Sequence, residues 1–101
     1  MIVSVLKRKT AIAEREEWDK RAERLLARLR PYLERQPGFA GVELKLADGG
    51  DMTEATSWQS KEDCERYVRG GAAATAATMS DALLPTAPYP NGSWTRETNE
   101  T

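Results

Sequence analysis

The chain opens with hydrophobic residues on both sides of an extended segment. Residues 2–9 include Ile2, Val3, Val5 and Leu6, so both alternating faces of a strand carry apolar side chains. A strand that is apolar on both faces is covered on both faces in the folded protein. The pattern predicts a first β-strand with a layer packed against each side.

From Ala13 the hydrophobic period changes to between three and four residues. This spacing predicts one long amphipathic helix over residues 13–35. Pro31 lacks a backbone donor, so we expect it to kink or tighten the last turn, and Pro37 with Gly38 then ends the helix. The predicted apolar stripe consists of Trp18, Ala22, Leu25, Leu26, Leu29 and Leu33.

The middle of the chain has the pattern of a β-hairpin. Residues 39–47 alternate between apolar and polar positions, as in a half-buried strand. The DGGD sequence at 48–51 is a turn signal, because glycine adopts positive φ at low cost. The Thr-rich residues 52–59 predict the returning strand.

A second helix is predicted to begin at Lys61, because Ser60 and Asp63 form a sequence similar to a capping box. The glycines at 70–71 interrupt it at a cost of about 1 kcal/mol each relative to alanine, so we expect a break there. Residues 93–99 predict a last strand. The predicted inward stripe of the helix consists of Cys64, Tyr67, Val68, Gly71, Thr75, Met79 and Leu83.

The resulting element order, β-α-β-β-α-β, predicts a single α+β domain over residues 1–101. The expected fold is ferredoxin-like, with an antiparallel four-stranded sheet and both helices on one face. The other face is apolar at residues 2–6 and must also be covered. A second copy of the same sheet is the simplest cover, so we expect a homodimer.

Composition removes several classes of enzyme. The 101 residues include no histidine and one cysteine, Cys64. A Ser–His or Cys–His nucleophile pair, a His-ligated haem and an ordinary zinc site are therefore excluded. An enzyme of this composition works with carboxylates, a phenol, arginines or the reactivity of its substrate. Because there is no Gly-rich phosphate loop either, we expect no haem, flavin or metal cofactor.

Charge is uneven along the chain, with +4 over residues 1–36 and −5 over residues 37–101. Such an asymmetry can mark a nucleic-acid surface, but a solvated helix face explains it better, so we expect no nucleic-acid or membrane partner. The chain carries 15 Lys and Arg against 16 Asp and Glu. Acids and bases alternate along residues 13–35, which is typical of a solvated helix face. No apolar run reaches the roughly 20 residues that span a bilayer. The basic residues 7–9 follow the first apolar run, the reverse of a secretory signal, so we expect a cytoplasmic protein.

Two segments resemble the antibiotic biosynthesis monooxygenase family of dimeric α+β barrels. They are QPGFAGVELKLADGG at 36–50 and TSWQSKEDCERYV at 56–68, and Trp58-x-Ser60-x-Glu62-Asp63 is similar to the family's W-x-S-x-E-D join. The resemblance implies a cofactor-independent monooxygenase that acts on an aromatic or polyketide-type small molecule. Such an enzyme binds a flat ring, removes a proton and shields the reacting centre from water.

An oxygenase of this kind would hold its substrate between the sheet and the second helix, near the glycines at 70–71. Glu54 would be the base, because an acid among apolar neighbours has a raised pKa. Tyr67 would donate a hydrogen bond to the substrate oxyanion, and Trp58 would be a stacking wall. The other candidate substrate-binding residues are Trp18, Met79 and Trp94. Further possible pocket walls are Tyr32 and Met52, and the nearby polar candidates are Glu43, Arg66, Arg69 and Arg96.

Each candidate also has a purely structural interpretation. Trp18 and Tyr67 lie on helix stripes and fit a hydrophobic core, while Trp58 would anchor the sheet to the second helix. Glu54 would pair across the sheet with Lys45 or Arg96.

Two function classes therefore remain open, an enzyme and a non-catalytic dimeric ligand-binding or accessory module. An apolar cavity with one polar group inside favours the enzyme. A core filled by Trp18, Tyr67 and leucines favours the module.

Overall fold

The computed structural model describes residues 1–47, 50–84 and 95–100. It confirms the predicted α+β class, with the second helix divided in two. In chain order the elements are β1 (Ile2–Lys9), α1 (Arg15–Glu34), β2 (Phe39–Leu46), β3 (Asp51–Trp58), α2 (Lys61–Arg69), α3 (Ala72–Leu83) and β4 (Thr95–Glu100). The first two positions of the predicted DGGD turn, and Ser93 and Trp94 before β4, lie outside the described residues.

The sheet is antiparallel and its strand order is β2-β3-β1-β4. Ile2 of β1 lies opposite both Trp58 of β3 and Glu100 of β4. Burial along β1 and β3 alternates with a period of two, and the buried residues Ile2, Met52 and Trp58 form one core cluster with helix residues. We call the face that carries them the inner face, and the opposite face the outer face.

Helix α1 forms as its hydrophobic period predicts. Its buried residues are Trp18, Ala22, Leu25, Leu29 and Leu33, and Leu26 is half-buried. Pro31 is tolerated inside the helix, which continues to Glu34. Gly38, with φ +78°, then turns the chain into β2, and a side chain there would overlap the carboxyl of Asp63. This glycine is therefore required by both its backbone conformation and its close neighbour.

The predicted break at residues 70–71 is confirmed. Helix α2 is capped at its start by Ser60, whose hydroxyl accepts a hydrogen bond from the Asp63 amide at 3.1 Å. Gly71 has φ +90°, a conformation that favours glycine, and α3 begins directly after it.

The predicted inward stripe is correct for Cys64 and Tyr67 but wrong beyond Gly71. Thr75 is exposed, and Met79 and Leu83 are only half-buried. The left-handed glycine redirects the chain, so the helical count does not carry across it. The buried face of α3 instead consists of Ala72, Ala73, Ala76 and Ser80.

Two findings concern the described residues alone. None of their helices is both long and apolar enough to cross a membrane. In the same ranges, no group of three or more His, Cys, Asp or Glu side chains is arranged to hold a metal ion.

Candidate functional site

The space between the sheet and the helices contains polar side chains within an otherwise apolar core. Strand alternation places four of them on the inner face of β1 and β3, and the fifth comes from α3. All are at most 3% exposed. We call this set the inner polar cluster: Ser4, Arg8, Glu54, Thr56 and Ser80.

Glu54, the predicted base, lies at the centre of the sheet. It is 1% exposed, and its backbone lies opposite Leu6 of β1 and Leu44 of β2. The hydroxyl of Ser80 donates a hydrogen bond to Glu54 Oε1 at 3.1 Å.

Trp58 and Tyr67 join the end of β3 to α2. Their rings stack with centroids 4.5 Å apart, and both side chains are buried. The indole Nε1 of Trp58 donates a hydrogen bond to Thr56 Oγ1 at 3.0 Å, and Phe39 meets the indole edge-on at 5.8 Å. The two rings are too close for a flat ligand to enter between them, so Trp58 serves as an anchor here, with any ligand on another side of the pair.

Arg8 is a buried cation that the sequence analysis missed. Its side chain is 0% exposed, and its Nη2 lies 2.5 Å from Asp81 Oδ1. Asp81 follows Ser80 in α3, so consecutive residues of this helix contact Arg8 and Glu54. The signal was present in the strand parity, because Arg8 follows Ile2 and Leu6 at even positions of β1.

The remaining predicted substrate-binding residues are Trp18, Met79 and Trp94. Trp18 is 4% exposed within the core cluster, and Met79 is half-buried on α3. Trp94 lies outside the described residues.

The predicted pairing of Glu54 with Lys45 is wrong. Lys45 lies opposite Thr53 and therefore on the outer face, where its Nζ is 3.2 Å from Glu43 Oε1. Glu43 lies on this outer face too, away from the predicted site. The side chain of Arg96 lies outside the described residues, so its pairing with Glu54 stays a prediction.

A cavity of about 330 Å³ lies between α2 and β4. Its last lining residue in α2, Arg69, directly precedes the glycines at 70–71. Its lining residues are Lys61, Cys64, Glu65, Val68, Arg69 and Thr98. A larger groove of about 530 Å³ lies beside the connection from β1 to α1, and none of the predicted site residues lines it.

Comparison with known proteins identifies solved structures with a similar fold. No protein-family model matches the sequence, and neither does any curated protein. Among solved structures, the chain is similar to SnoaB, a cofactor-independent oxygenase from Streptomyces nogalater. The TM-score is 0.64 at 17% identity, over 99% of this chain and 91% of SnoaB.

Two further structures give the same result. The monooxygenase from the gene ActVA-Orf6 of Streptomyces coelicolor, solved with the ligand nanaomycin D, matches with TM-score 0.67 and 19% identity over 99% of this chain and 86% of its own. An antibiotic biosynthesis monooxygenase matches with TM-score 0.59 and 12% identity over 100% of this chain and 98% of its own.

The chain has the antibiotic biosynthesis monooxygenase fold. Identities this low establish the shared architecture, and the activity has to be argued from the residues present. The residues of this chain from which an activity can be argued are the inner polar cluster and the stacked Trp58–Tyr67 pair.

Proposed function

We propose that the protein is a cofactor-independent monooxygenase that acts on an aromatic or polyketide-type small molecule. The observation that carries this proposal is Glu54, a carboxylate 1% exposed at the centre of the inner face with Ser80 donating to it. A buried acid costs stability, so its presence indicates a chemical task. Proton abstraction from a phenol-type ring is a task that a desolvated carboxylate performs.

The reaction needs only the substrate, a base and dioxygen. Glu54 removes a proton from the ring system, and the resulting anion donates electrons to O2. A ring methylene becomes a carbonyl with one oxygen atom, and the second oxygen leaves as water. The buried surroundings of Glu54, including Met52 at 0% exposure, keep bulk water from the reacting carbanion.

Two other residues have roles in the proposed site. The hydroxyl of Tyr67 donates a hydrogen bond to the oxyanion as it forms, while the stack on Trp58 fixes the ring that carries this hydroxyl. Arg8 places a buried positive charge on the same face as Glu54, which favours an anionic intermediate nearby.

The second candidate function is a non-catalytic ligand-binding or accessory module. It is favoured by the observation that Trp18, Tyr67 and the leucines of α1 all belong to the core cluster. Those side chains stabilise the fold whether or not any reaction occurs. Only an activity measurement separates this candidate from the enzyme.

Replacing Glu54 by glutamine tests the enzyme proposal. The change keeps the shape and an acceptor for Ser80 but removes the base, so turnover should fall by about 10²–10⁴-fold. The assay is quinone formation under air from a hydroxyanthrone-type probe, which carries the ring methylene that the proposed reaction oxidises, followed by absorbance.

Glu43→Gln, an exposed carboxylate on the outer face, is the matched control and should retain full turnover. An inactive parent protein would reject the enzyme proposal in favour of the module. An unchanged rate in Glu54→Gln would reject the assignment of the base.

We also propose that two copies pack outer face to outer face. Val3 and Val5 lie on that face, opposite Ser57 and Ala55 of β3 and opposite Asn99 and Glu97 of β4, so two valines and an alanine form a small apolar area with polar register partners around it. The residues that α1, α2 and α3 bury belong to the core of the inner face. A second sheet would bury the valines and complete a dimeric α+β barrel.

Val5→Asp tests the dimer, because it places a charge at the centre of the proposed interface. Sedimentation velocity at micromolar concentration should show a dimer for the parent protein and a monomer for Val5→Asp. Lys7→Gln, on the same face but at an exposed position, should remain dimeric. A monomeric parent protein would contradict the proposal.

A further inference from the structure

Helix α3 carries a buried hydroxyl with two acceptors and one hydrogen. Ser80 is 0% exposed. Its Oγ lies 3.1 Å from Glu54 Oε1 and 3.3 Å from the carbonyl oxygen of Ala76, one helical turn earlier. A hydroxyl donates a single hydrogen and accepts through its lone pairs. The Ser80 side chain therefore donates to one of these two oxygens at a time.

The other hydroxyls of α3 differ from Ser80 in burial and in position. Thr75 and Thr78 are exposed. Each donates to the carbonyl four residues earlier, at 3.2 and 3.0 Å, which is a common bond for Ser and Thr in helices. Ser80 combines the same local bond with a carboxylate from the sheet, so its hydroxyl joins two layers of the protein.

The rest of the buried face of α3 consists of alanines. Ala73 and Ala76 lie seven and four residues before Ser80, on the same stripe of the helix. Serine forms helices less readily than alanine and adds a polar group to the core, so a further alanine would suit this face better. The hydroxyl at this position therefore indicates a task directed at Glu54.

A second polar contact fixes α3 over the carboxylate. Asp81 Oδ1 lies 2.5 Å from Nη2 of Arg8, whose side chain is 0% exposed. Arg8 lies opposite Met52, which precedes Glu54 by two residues on the same inner face. Two consecutive residues of α3 thus contact two neighbouring positions of the sheet, and this arrangement maintains the distance between Ser80 and Glu54.

A carboxyl group that moves a proton needs a suitable partner in both of its forms. The carboxylate only accepts hydrogen bonds, whereas the acid also donates one. When Ser80 points its hydrogen at Glu54 Oε1, it satisfies the carboxylate. When the hydrogen turns to the Ala76 carbonyl, the Ser80 oxygen accepts from the acid. The bond between the two side chains therefore persists while the proton arrives and leaves, and no buried polar group loses its partner.

We propose that Ser80 is a positioning residue whose hydroxyl turns from Glu54 to the Ala76 carbonyl each time Glu54 takes up a proton. The inference rests on the proposed function, since it takes Glu54 to be the base. In that reaction Glu54 takes one proton from the ring methylene and returns it to the oxygen that leaves as water. The O–H bond of Ser80 stays intact throughout, so no proton passes through this residue.

Infrared difference spectroscopy tests the turning hydroxyl without any turnover. Subtracting the spectrum of Glu54→Gln from that of the parent isolates the bands of Glu54, as carboxylate at high pH and as acid at low pH, with circular dichroism to confirm the fold. Ser80→Ala, measured against Ser80→Ala/Glu54→Gln, should shift the bands of both forms. The C=O stretch of the acid should move to higher frequency, because a hydrogen bond is lost. Ser80→Thr keeps a hydroxyl and should restore the parent frequencies.

Kinetics then distinguish positioning from a purely structural contact. Ser80→Ala leaves the groups that touch the substrate in place, so kcat should fall about 10–10²-fold while KM stays within about twofold of the parent. Ser80→Thr should recover most of the lost kcat. Thr78→Ala removes an exposed hydroxyl of the same helix and is the matched control, with the spectrum and the kinetics of the parent.

The outcomes separate this inference from the proposed function. An inactive parent protein would reject the enzyme, but shifts of both Glu54 bands in Ser80→Ala would still support the turning hydroxyl. A shift of the carboxylate bands alone, or a Glu54 group that keeps one form at every pH where the protein is folded, would overturn it. A Ser80→Ala protein with the kcat of the parent would overturn the positioning role, and so would an equal loss of kcat in Thr78→Ala.

Discussion

The part of the core under α1 and the part under α3 are built from different residues. Helix α1 buries Leu25, Leu29 and Leu33, each at 0% exposure. Helix α3 buries three alanines and Ser80 instead. Beneath Ser80 lies the carboxylate of Glu54, whereas the α1 residues pack within the apolar core cluster.

This difference indicates that the residues under α1 stabilise the fold, whereas the residues under α3 surround the proposed catalytic carboxylate. Each buried leucine contributes about 2–3 kcal/mol through removal of apolar surface from water. Alanines contribute less, and α3 instead supplies polar contacts to the sheet through Ser80, which reaches Glu54, and Asp81, which reaches Arg8. A chain optimised only for stability would place apolar residues there too.

Truncating the α1 side should give the largest loss of stability. Leu29→Ala leaves a cavity at a fully buried position and should lower the free energy of unfolding by about 2–5 kcal/mol. Leu26→Ala, three residues earlier and half-buried, should cost clearly less. Urea denaturation measures both, and equal losses would contradict the assignment of Leu29 to the core.

A smaller effect is expected at the glycine that orients α3. Gly71 has φ +90° and open space around its Cα, so alanine there introduces backbone strain without a steric clash. Gly71→Ala should cost about 1–2 kcal/mol. Gly41→Ala also meets no neighbour but lacks positive φ, so it should cost less than Gly71→Ala in the same denaturation experiment. Equal costs would show that the left-handed turn is not what sets α3.

The α1 side could be predicted from the sequence because its structure is local. A stripe of large apolar residues at helical spacing gives both the helix and its buried face, and Ser60 marks the start of α2 through its own hydroxyl. These signals depend on residues within a few positions of each other, which periodicity captures.

The α3 side could not be predicted in the same way. The glycines at 70–71 predict a break in the helix, but they do not predict the angle at which the chain continues. Helical spacing therefore places Thr75, Met79 and Leu83 on the buried face, which is wrong. Arg8 was missed because a charged residue after an apolar run resembles a surface position. Its burial depends on Asp81, 73 residues later in the chain.

The most direct test of the account is to measure turnover and the free energy of unfolding for Glu54→Gln and Leu29→Ala in parallel. Glu54→Gln should lose about 10²–10⁴-fold in turnover while its stability stays within about 1 kcal/mol of the parent, because the amide oxygen still accepts from Ser80. Leu29→Ala should lose stability and keep its turnover at temperatures where it is folded. The reverse result, a Glu54→Gln protein that is destabilised but fully active, would contradict the division of the core into a stabilising part and a chemical part.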